Sequence, residues 1–508
     1  MQSPRRSSTA WGAGFGYATI TLGIARNIVL VPLYLHYVSA AEYGAWLATG
    51  GTLVQLLVTD FGVGGVILQR AAAASGAGDR EHLSVIVGTA WVTSAVIAVI
   101  VSAVSAGISP FLPGLLHLDA SVAGQVIDCF LLSIAANAVA VIATISGNVL
   151  RGLQRAVSVG VIQFLAEVTV VAVTVVMLYR GFGLYALAWG MVARAVFAAL
   201  TSVIQTYRVC VRELRLTPRL QAAESRQLIA DSTRLFVVSI SMRLLTRSDV
   251  FFVGVVLGTA SAAVYGITTR MVDTVTMLIA QLTSALLPAM AHLYGEGNLS
   301  RFRELLMRIT PVLGALSLTG LATAAAVNRD FVSLWVGQEL FGGSVTTFLF
   351  AASAYVSFVG FIGYDVLMAA GRFQFIARTF AIFSLAQIPL TVLMLRQFGM
   401  VGAPLAAIIS ATGWSLVMWR ELSRVLAPEA VNYRRLALLA GISIVVVIAV
   451  ISITAQLLPN AVSWTHLAAT SVITGIIVLS AIMIVSRSIR EVAWQEGIAT
   501  LRSLGWKS

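Results

Sequence analysis

Charge is what this 508-residue sequence has least of: Asp, Glu, Lys and Arg make up 11% of it, against about 25% in an ordinary soluble domain. With 58% hydrophobic residues and a mean hydropathy of +0.92, no water-soluble fold could hide so much apolar surface. Soluble enzymes, nucleic-acid binders and secreted scaffolds are excluded on that ground. Lysine is nearly absent, since Lys507 stands alone among 33 cations. Two cysteines, Cys129 and Cys210, cannot build a disulfide framework. The five histidines, His36, His82, His117, His292 and His466, show no metal-ligand spacing, and no Gly-Lys-Ser/Thr phosphate loop is present. No metal site, no catalytic constellation and no cofactor is therefore expected.

What is abundant is apolar runs long enough to span a bilayer, which takes roughly 20 residues. Spans are predicted near 11–36, 39–66, 83–107, 121–149, 157–179 and 184–206, and after a polar stretch near 231–257, 262–291, 304–327, 345–370, 374–395 and 401–420. A last pair is predicted near 436–458 and 464–486. The expected fold is an all-α polytopic membrane protein of about fourteen transmembrane helices. Placing the N-terminus inside puts 23 of the 33 cations in cytoplasmic segments and only Arg180, Arg329 and Arg396 outside, which predicts two cytoplasmic termini. The first apolar stretch lacks a cleavage site and is expected to remain as a span.

The halves echo each other. Ser39-Ala40-Ala41-Glu42-Tyr43-Gly44 returns as Ser261-Ala262-Ala263-Val264-Tyr265-Gly266, Gly152-Leu153-Gln154 as Arg372-Phe373-Gln374, and Phe182-Gly183 as Phe398-Gly399, at offsets of 216 to 222. Six spans separate the copies, so a parallel repeat about an axis along the membrane normal is expected. The domain reading is a six-helix bundle over 1–206, a basic cytoplasmic linker over 207–230, a second six-helix bundle over 231–421, an extra helix pair over 422–486 and a cytoplasmic amphipathic tail over 487–508. The linker, with Arg208, Arg212, Arg215, Arg219 and Arg226 among apolar residues, reads either as lying on the inner leaflet or as a solvated loop.

Glu42-Tyr43-Gly44-Ala45-Trp46, then Asp60-Phe61-Gly62 and a basic turn at Arg70, with Thr246-Arg247-Ser248-Asp249 and Pro288 further on, resemble the bacterial polysaccharide-repeat flippases. These are the Wzx-type translocases of O-antigen and exopolysaccharide, within the multidrug/oligosaccharidyl-lipid/polysaccharide exporter superfamily. The resemblance implies two six-helix bundles in a V around a cavity that opens alternately to each side. It implies transport of polyprenyl-diphosphate-linked oligosaccharide across a bacterial plasma (inner) membrane. Glycosyltransferases and a polysaccharide polymerase are its natural partners, with membrane lipid around it and no nucleic acid. The added C-terminal pair keeps a lipid II flippase in play, and a multidrug antiporter of the same superfamily is the other alternative. A membrane glycosyltransferase or ligase would need catalytic groups at a large external loop, and the external loops here are short.

Ionisable residues deep in a span face a partner or a wet cavity. Glu167 and Arg194 are expected at similar depth, as are Arg247 with Asp273 and Asp249 with Arg270. Such pairs neutralise one another and fix helix register; alternatively Glu167 or Asp273 could carry a coupling proton or sodium ion. Arg26 and Arg243 have no depth-matched acid. Arg26, Arg243, Arg247, Arg194 and Arg270 are the candidate substrate-binding set, because the planar guanidinium fork holds phosphate oxygens in pairs. Gln55, Asn137, Asn148, Gln163, Gln281 and Gln387 are candidates for hydrogen bonding to sugar hydroxyls.

Overall fold

Inside a bilayer the backbone must satisfy its own hydrogen bonds, and a helix does so within one segment. In the computed structural model every regular element among the described residues is helical. These residues are 3–57, 62–284, 299–426 and 461–485, with Met290, Tyr294 and Glu296. Nine stretches among them are long and apolar enough to cross a membrane; one, 373–425, is two helices joined end to end. The protein is a multi-pass membrane protein. Helices stand at every expected span except 436–458, which lies outside the described residues, as do Asp60, Phe61, Pro288 and the tail 487–508.

The chain divides into two compact units, Met1–Ala263 and Val264–Ser508. The first holds α1 (Ser3–Tyr37), α2 (Ala40–Trp46), a π-helical turn (Leu47–Leu53), α3 (Val54–Leu57), α4 (Val63–Ala77), α5 (Arg80–Ile108), the short α6 (Leu112–Leu115) and α7 (Ala120–Gly152). It continues with α8 (Ala156–Tyr179), α9 (Tyr185–Tyr207), α10 (Ala222–Arg247) and α11 (Asp249–Leu257). Residues 231–263, expected in the second bundle, cluster with the first unit, where α10 packs on α3, α4 and α5. Val54, Ile67, Val87, Phe130, Ile145 and Leu216 share its core. The valines of α5 at 92, 96 and 99 are exposed, as lipid-facing residues are.

The motif that opens this unit has a local cause. Ser39 Oγ accepts the Glu42 amide at 3.3 Å while Glu42 Oε2 accepts the Ser39 amide at 2.9 Å, a reciprocal cap on the start of α2. Gly44 lies so close to the Thr259 carbonyl that a Cβ would overlap it. The second copy has Val264 in place of Glu42 and is no cap: Ser261 lies inside α12 (Thr259–Ser284), its Oγ donating to the Leu257 carbonyl at 3.0 Å. The second span is also not the even helix expected over 39–66. It passes through the π turn, and Arg70 sits within α4, paired with Glu224, rather than in a turn.

The linker packs in part on the first unit rather than floating as a solvated loop. Arg208–Glu213 continues α9 as a π-helical turn, and Val209, Cys210 and Leu216 are buried. Beyond it the chain straps across the start of α5, where the Arg219 amide donates to the Ser84 carbonyl at 3.2 Å and Ser84 Oγ donates to the Thr217 carbonyl. Gly88 permits the crossing, since a Cβ there would overlap the Arg219 backbone. Apolar residues interleaved with the arginines decide the outcome, because burying them outweighs solvating the strand.

In the second unit α13 (Leu299–Trp335) packs on α14 (Ser344–Ala369) and on α17 (Trp464–Val485), while α16 (Gly402–Leu426) packs on α14 and on α15 (Phe373–Phe398). The α17 helix is pinned at its start by Asp330 Oδ2, which accepts the Ala461 amide at 2.7 Å, and by the Phe331–Trp464 ring contact. Along its length Val478 and Ile482 join the core of the unit. Pro404, expected inside a span, lies in the first turn of α16 and so bends nothing.

Candidate functional site

Three helices of the first unit bring charge together at one level. Arg26 lies eleven residues before Tyr37 at the end of α1, Glu167 twelve before Tyr179 at the end of α8, and Arg194 nine beyond Tyr185 at the start of α9. At 1.5 Å per residue all three stand about 14–18 Å from that face. The α8 helix packs against both α1 and α9, so Glu167 is placed between the two cations. Its Oε2 is 3.0 Å from Arg26 Nη1 and its Oε1 is 2.7 Å from Arg194 Nη2. Glu167 is buried, while the Arg194 side chain is 48% exposed. A single carboxylate held by two guanidiniums leaves the cluster with one positive charge in excess.

The expected Glu167–Arg194 pair is therefore present, and the expectation for Arg26 is corrected: it has an acid at its own depth. Counting from the end where α1 and α8 both terminate would have revealed the match, since the two helices run the same way.

Beside this cluster a groove of about 280 Å³ opens. The α9 helix packs along both α7 and α8, which touch each other far less, so α9 forms the floor and the other two the walls. Ala140, Ala143 and Gly147 on one wall and Ala195 and Ala198 on the floor keep the lining thin. Polar groups line the space between them: Asn137, Thr144 and Arg151 from α7, Gln163 from α8, and Arg194 and Ser202 from α9. Asn137 and Gln163 are two of the amides singled out from sequence. Arg151, counted there only as a loop cation, was missed; its Nη1 donates to Asn148 Oδ1 at 3.0 Å. A cation facing hydrocarbon at mid-membrane costs about 2.5–3.5 kcal/mol on insertion scales, so a half-exposed arginine at this depth calls for water or an anion in the groove.

The remaining candidates lie on α10, α11 and α12. Arg243 on α10 donates from Nη1 to the Gln55 carbonyl of α3 at 3.0 Å. Arg247, four residues on, is exposed at the end of α10, and Asp249 is buried at the start of α11. Arg270 and Asp273 are half-buried on α12, in the second unit. The expected pairs Arg247–Asp273 and Asp249–Arg270 thus have their members in different units, each described within its own. Asp128, near a helix end, accepts from the Tyr185 hydroxyl at 2.8 Å. Among the described residues no three His, Cys, Asp or Glu side chains gather as a metal site.

A family model described as polysaccharide biosynthesis protein matches residues 38–344. The chain belongs to that family. It is the family that Glu42-Tyr43-Gly44 and the motifs around it suggested. Among curated proteins, the family member described here is similar to the probable flippase AglR of Haloferax volcanii, at 25% identity over 179 residues. That match covers 35% of this chain and 37% of the relative, so only about a third of AglR is spanned. Among solved structures, the lipid II flippase MurJ in an inward closed conformation aligns with a TM-score of 0.67 at 10% identity, over 93% of this chain and 97% of that one. An inward-facing multidrug resistance MATE family transporter of the MOP superfamily aligns with a TM-score of 0.61 at 16% identity, over 80% and 94% of the two chains. A MOP superfamily transporter from Pyrococcus furiosus gives 0.58 at 14%, over 83% and 96%. At such identities the likeness establishes the fold alone.

Proposed function

We propose that this polysaccharide-biosynthesis family member is a flippase that carries a polyprenyl-diphosphate-linked oligosaccharide from the inner to the outer leaflet of the plasma membrane. It acts as a transporter and not as an enzyme. The observation that carries the reading is the cation excess of the Arg26–Glu167–Arg194 cluster at mid-membrane depth, which suits an anionic headgroup and disfavours a cationic drug. The cytoplasmic bias of the arginines orients both termini inward. An inside-negative potential then favours outward movement of the diphosphate by roughly 2.3 kcal/mol per charge per 100 mV. The polyprenyl tail stays in lipid while arginines and amides replace water around the headgroup. Alternating access moves it, and Arg243, Arg247 and Arg270 are the further candidate cations for the headgroup. Glu167 or Asp273 would carry any coupled proton or sodium ion. Glycosyltransferases supply such a substrate and a polymerase consumes it.

A second reading, lipid II as cargo, is favoured by one observation: α17 lies beyond a twelve-span pattern.

The test is transport by the purified protein in proteoliposomes, read as arrival of a labelled lipid-linked oligosaccharide at the outer leaflet. Wild type should move it, and Arg194→Gln should slow it at least tenfold with the protein still folded. Movement of lipid II in its place would establish the second reading. Export of a cationic dye with no glycolipid movement would overturn both.

A further inference from the structure

The groove between α7 and α8 has features that ion pairing in the cluster does not require. Its lining is graded along its length. Arg151 stands beside the turn joining the two helices, and Gln163 lies seven residues into α8. The Glu167 level, where Arg194 reaches in, is about 16 Å along α8 from Ala156. Arg151, Gln163 and Arg194 are all exposed, yet they share one concave space walled by alanines. Among the described residues no carboxylate pairs with Arg151, and no Asp or Glu lines the groove. Among the described residues the acid beside it is Glu167, which is divided between Arg194 and Arg26. The space is thus cationic at both ends and amide-lined between, with nothing in its lining to neutralise it.

We propose that this groove is a binding site for a phosphate-bearing headgroup, with its mouth at Arg151 and its inner end at Arg194. Arg151 captures the anion at the cytoplasmic side. Asn137 and Gln163 hydrogen-bond the ester oxygens and the adjoining hydroxyls, and Arg194 receives the phosphate at depth with one face still on Glu167. At about 280 Å³ the space falls just below the roughly 300–1,000 Å³ of drug-sized pockets. It therefore takes the phosphate end of a molecule and at most its first sugar, not a whole glycan. The site lies within the first unit alone, so binding does not depend on where the second unit stands. Its role as a loading station for a lipid-linked saccharide rests on the flippase reading above; its anion chemistry does not.

The experiment is binding to the full-length purified protein, followed by thermal shift in detergent with inorganic pyrophosphate and by native mass spectrometry in nanodiscs. The nanodiscs carry either polyprenyl diphosphate or phosphatidylglycerol. Wild type should be protected by pyrophosphate and should retain polyprenyl diphosphate. Arg151→Gln should weaken both at least tenfold, and Arg151→Lys should recover part of the loss. Ala143→Leu fills the groove without touching a charge, so it should abolish binding while the protein unfolds at the wild-type temperature. Pyrophosphate protection that survives both Arg151→Gln and Ala143→Leu would overturn the site. Equal retention of phosphatidylglycerol and polyprenyl diphosphate would make it a site for bulk phospholipid and overturn the loading role. Failure of transport with binding intact would count against the flippase reading instead.

Discussion

Removing the members of the Arg26–Glu167–Arg194 cluster one after another should lower stability and then restore it. The side chains are 24%, 7% and 48% exposed in that order. Arg194→Met leaves Glu167 on Arg26 at 3.0 Å and deletes the most solvated partner, so screening limits the loss to about 1 kcal/mol. Arg26→Met removes the better-buried cation and should cost about 1–2 kcal/mol. With both replaced, the carboxylate is buried against apolar neighbours with no counter-charge, and roughly 3–5 kcal/mol is lost. Adding Glu167→Gln to that double variant removes the stranded charge and should bring stability back to within about 1 kcal/mol of wild type. Unfolding in detergent, compared as a rank order among the five proteins, reads this directly. A double variant no weaker than Arg26→Met would refute the claim that Glu167 depends on both arginines. The triple variant then isolates function: folded, yet with the cations gone, it should not transport.

Gly88→Val should drive a side chain into the Arg219 backbone and lift the strap from α5, costing about 1–3 kcal/mol; faster proteolysis within 214–221 is the readout, and unchanged resistance would count against the strap. Asp330→Ala leaves the Ala461 amide without its acceptor and should cost about 1 kcal/mol, seen as faster hydrogen exchange at Ala461 that Asp330→Asn largely prevents. Arg372→Ala should be mild, below about 1 kcal/mol, because Glu421 keeps Arg424 at 3.3 Å. Replacing both arginines strands a carboxylate whose side chain is 8% exposed, and the thermal loss should then exceed the sum of the two single changes.

Span positions were legible because hydrophobic length is a property of the segment itself. Predicted 157–179 is Ala156–Tyr179 in the structure, and predicted 345–370 is Ser344–Ala369. Breaks within spans were not legible. The π turn at Leu47–Leu53 contains Gly50 and Gly51, but a glycine pair does not by itself fix a π turn, and the register is set by the neighbours it packs against. The strap over 214–221 was hidden for a related reason: the linker was read by its five arginines, while its path is decided by the buried Leu216 and, just before it, Val209 and Cys210. Of the site, Glu167 with Arg194 followed from depth alone, and Arg26 would have followed had depth been counted from the other face. Arg151 could not, because residues at the end of a span look like any loop cation until three helices enclose them.

The division of Glu167 between two unequal partners bears on how an anion site can work at depth. A neutral one-to-one pair would have to be broken before a phosphate could bind, stranding a carboxylate away from water. Here the more buried cation, Arg26, holds Oε2, while the half-exposed Arg194 holds Oε1 and faces the groove. A phosphate reaching the inner end can take hydrogen bonds from Arg194 while Glu167 stays paired with Arg26, so no charge is left without a partner at any stage. The same arrangement resists permanent capture, because Glu167 remains within reach and competes for Arg194 once the anion moves on. If the order of exposure were reversed, with Arg26 the more open of the two, the groove would see only a neutral pair, and the cation excess would lie where no headgroup could reach it.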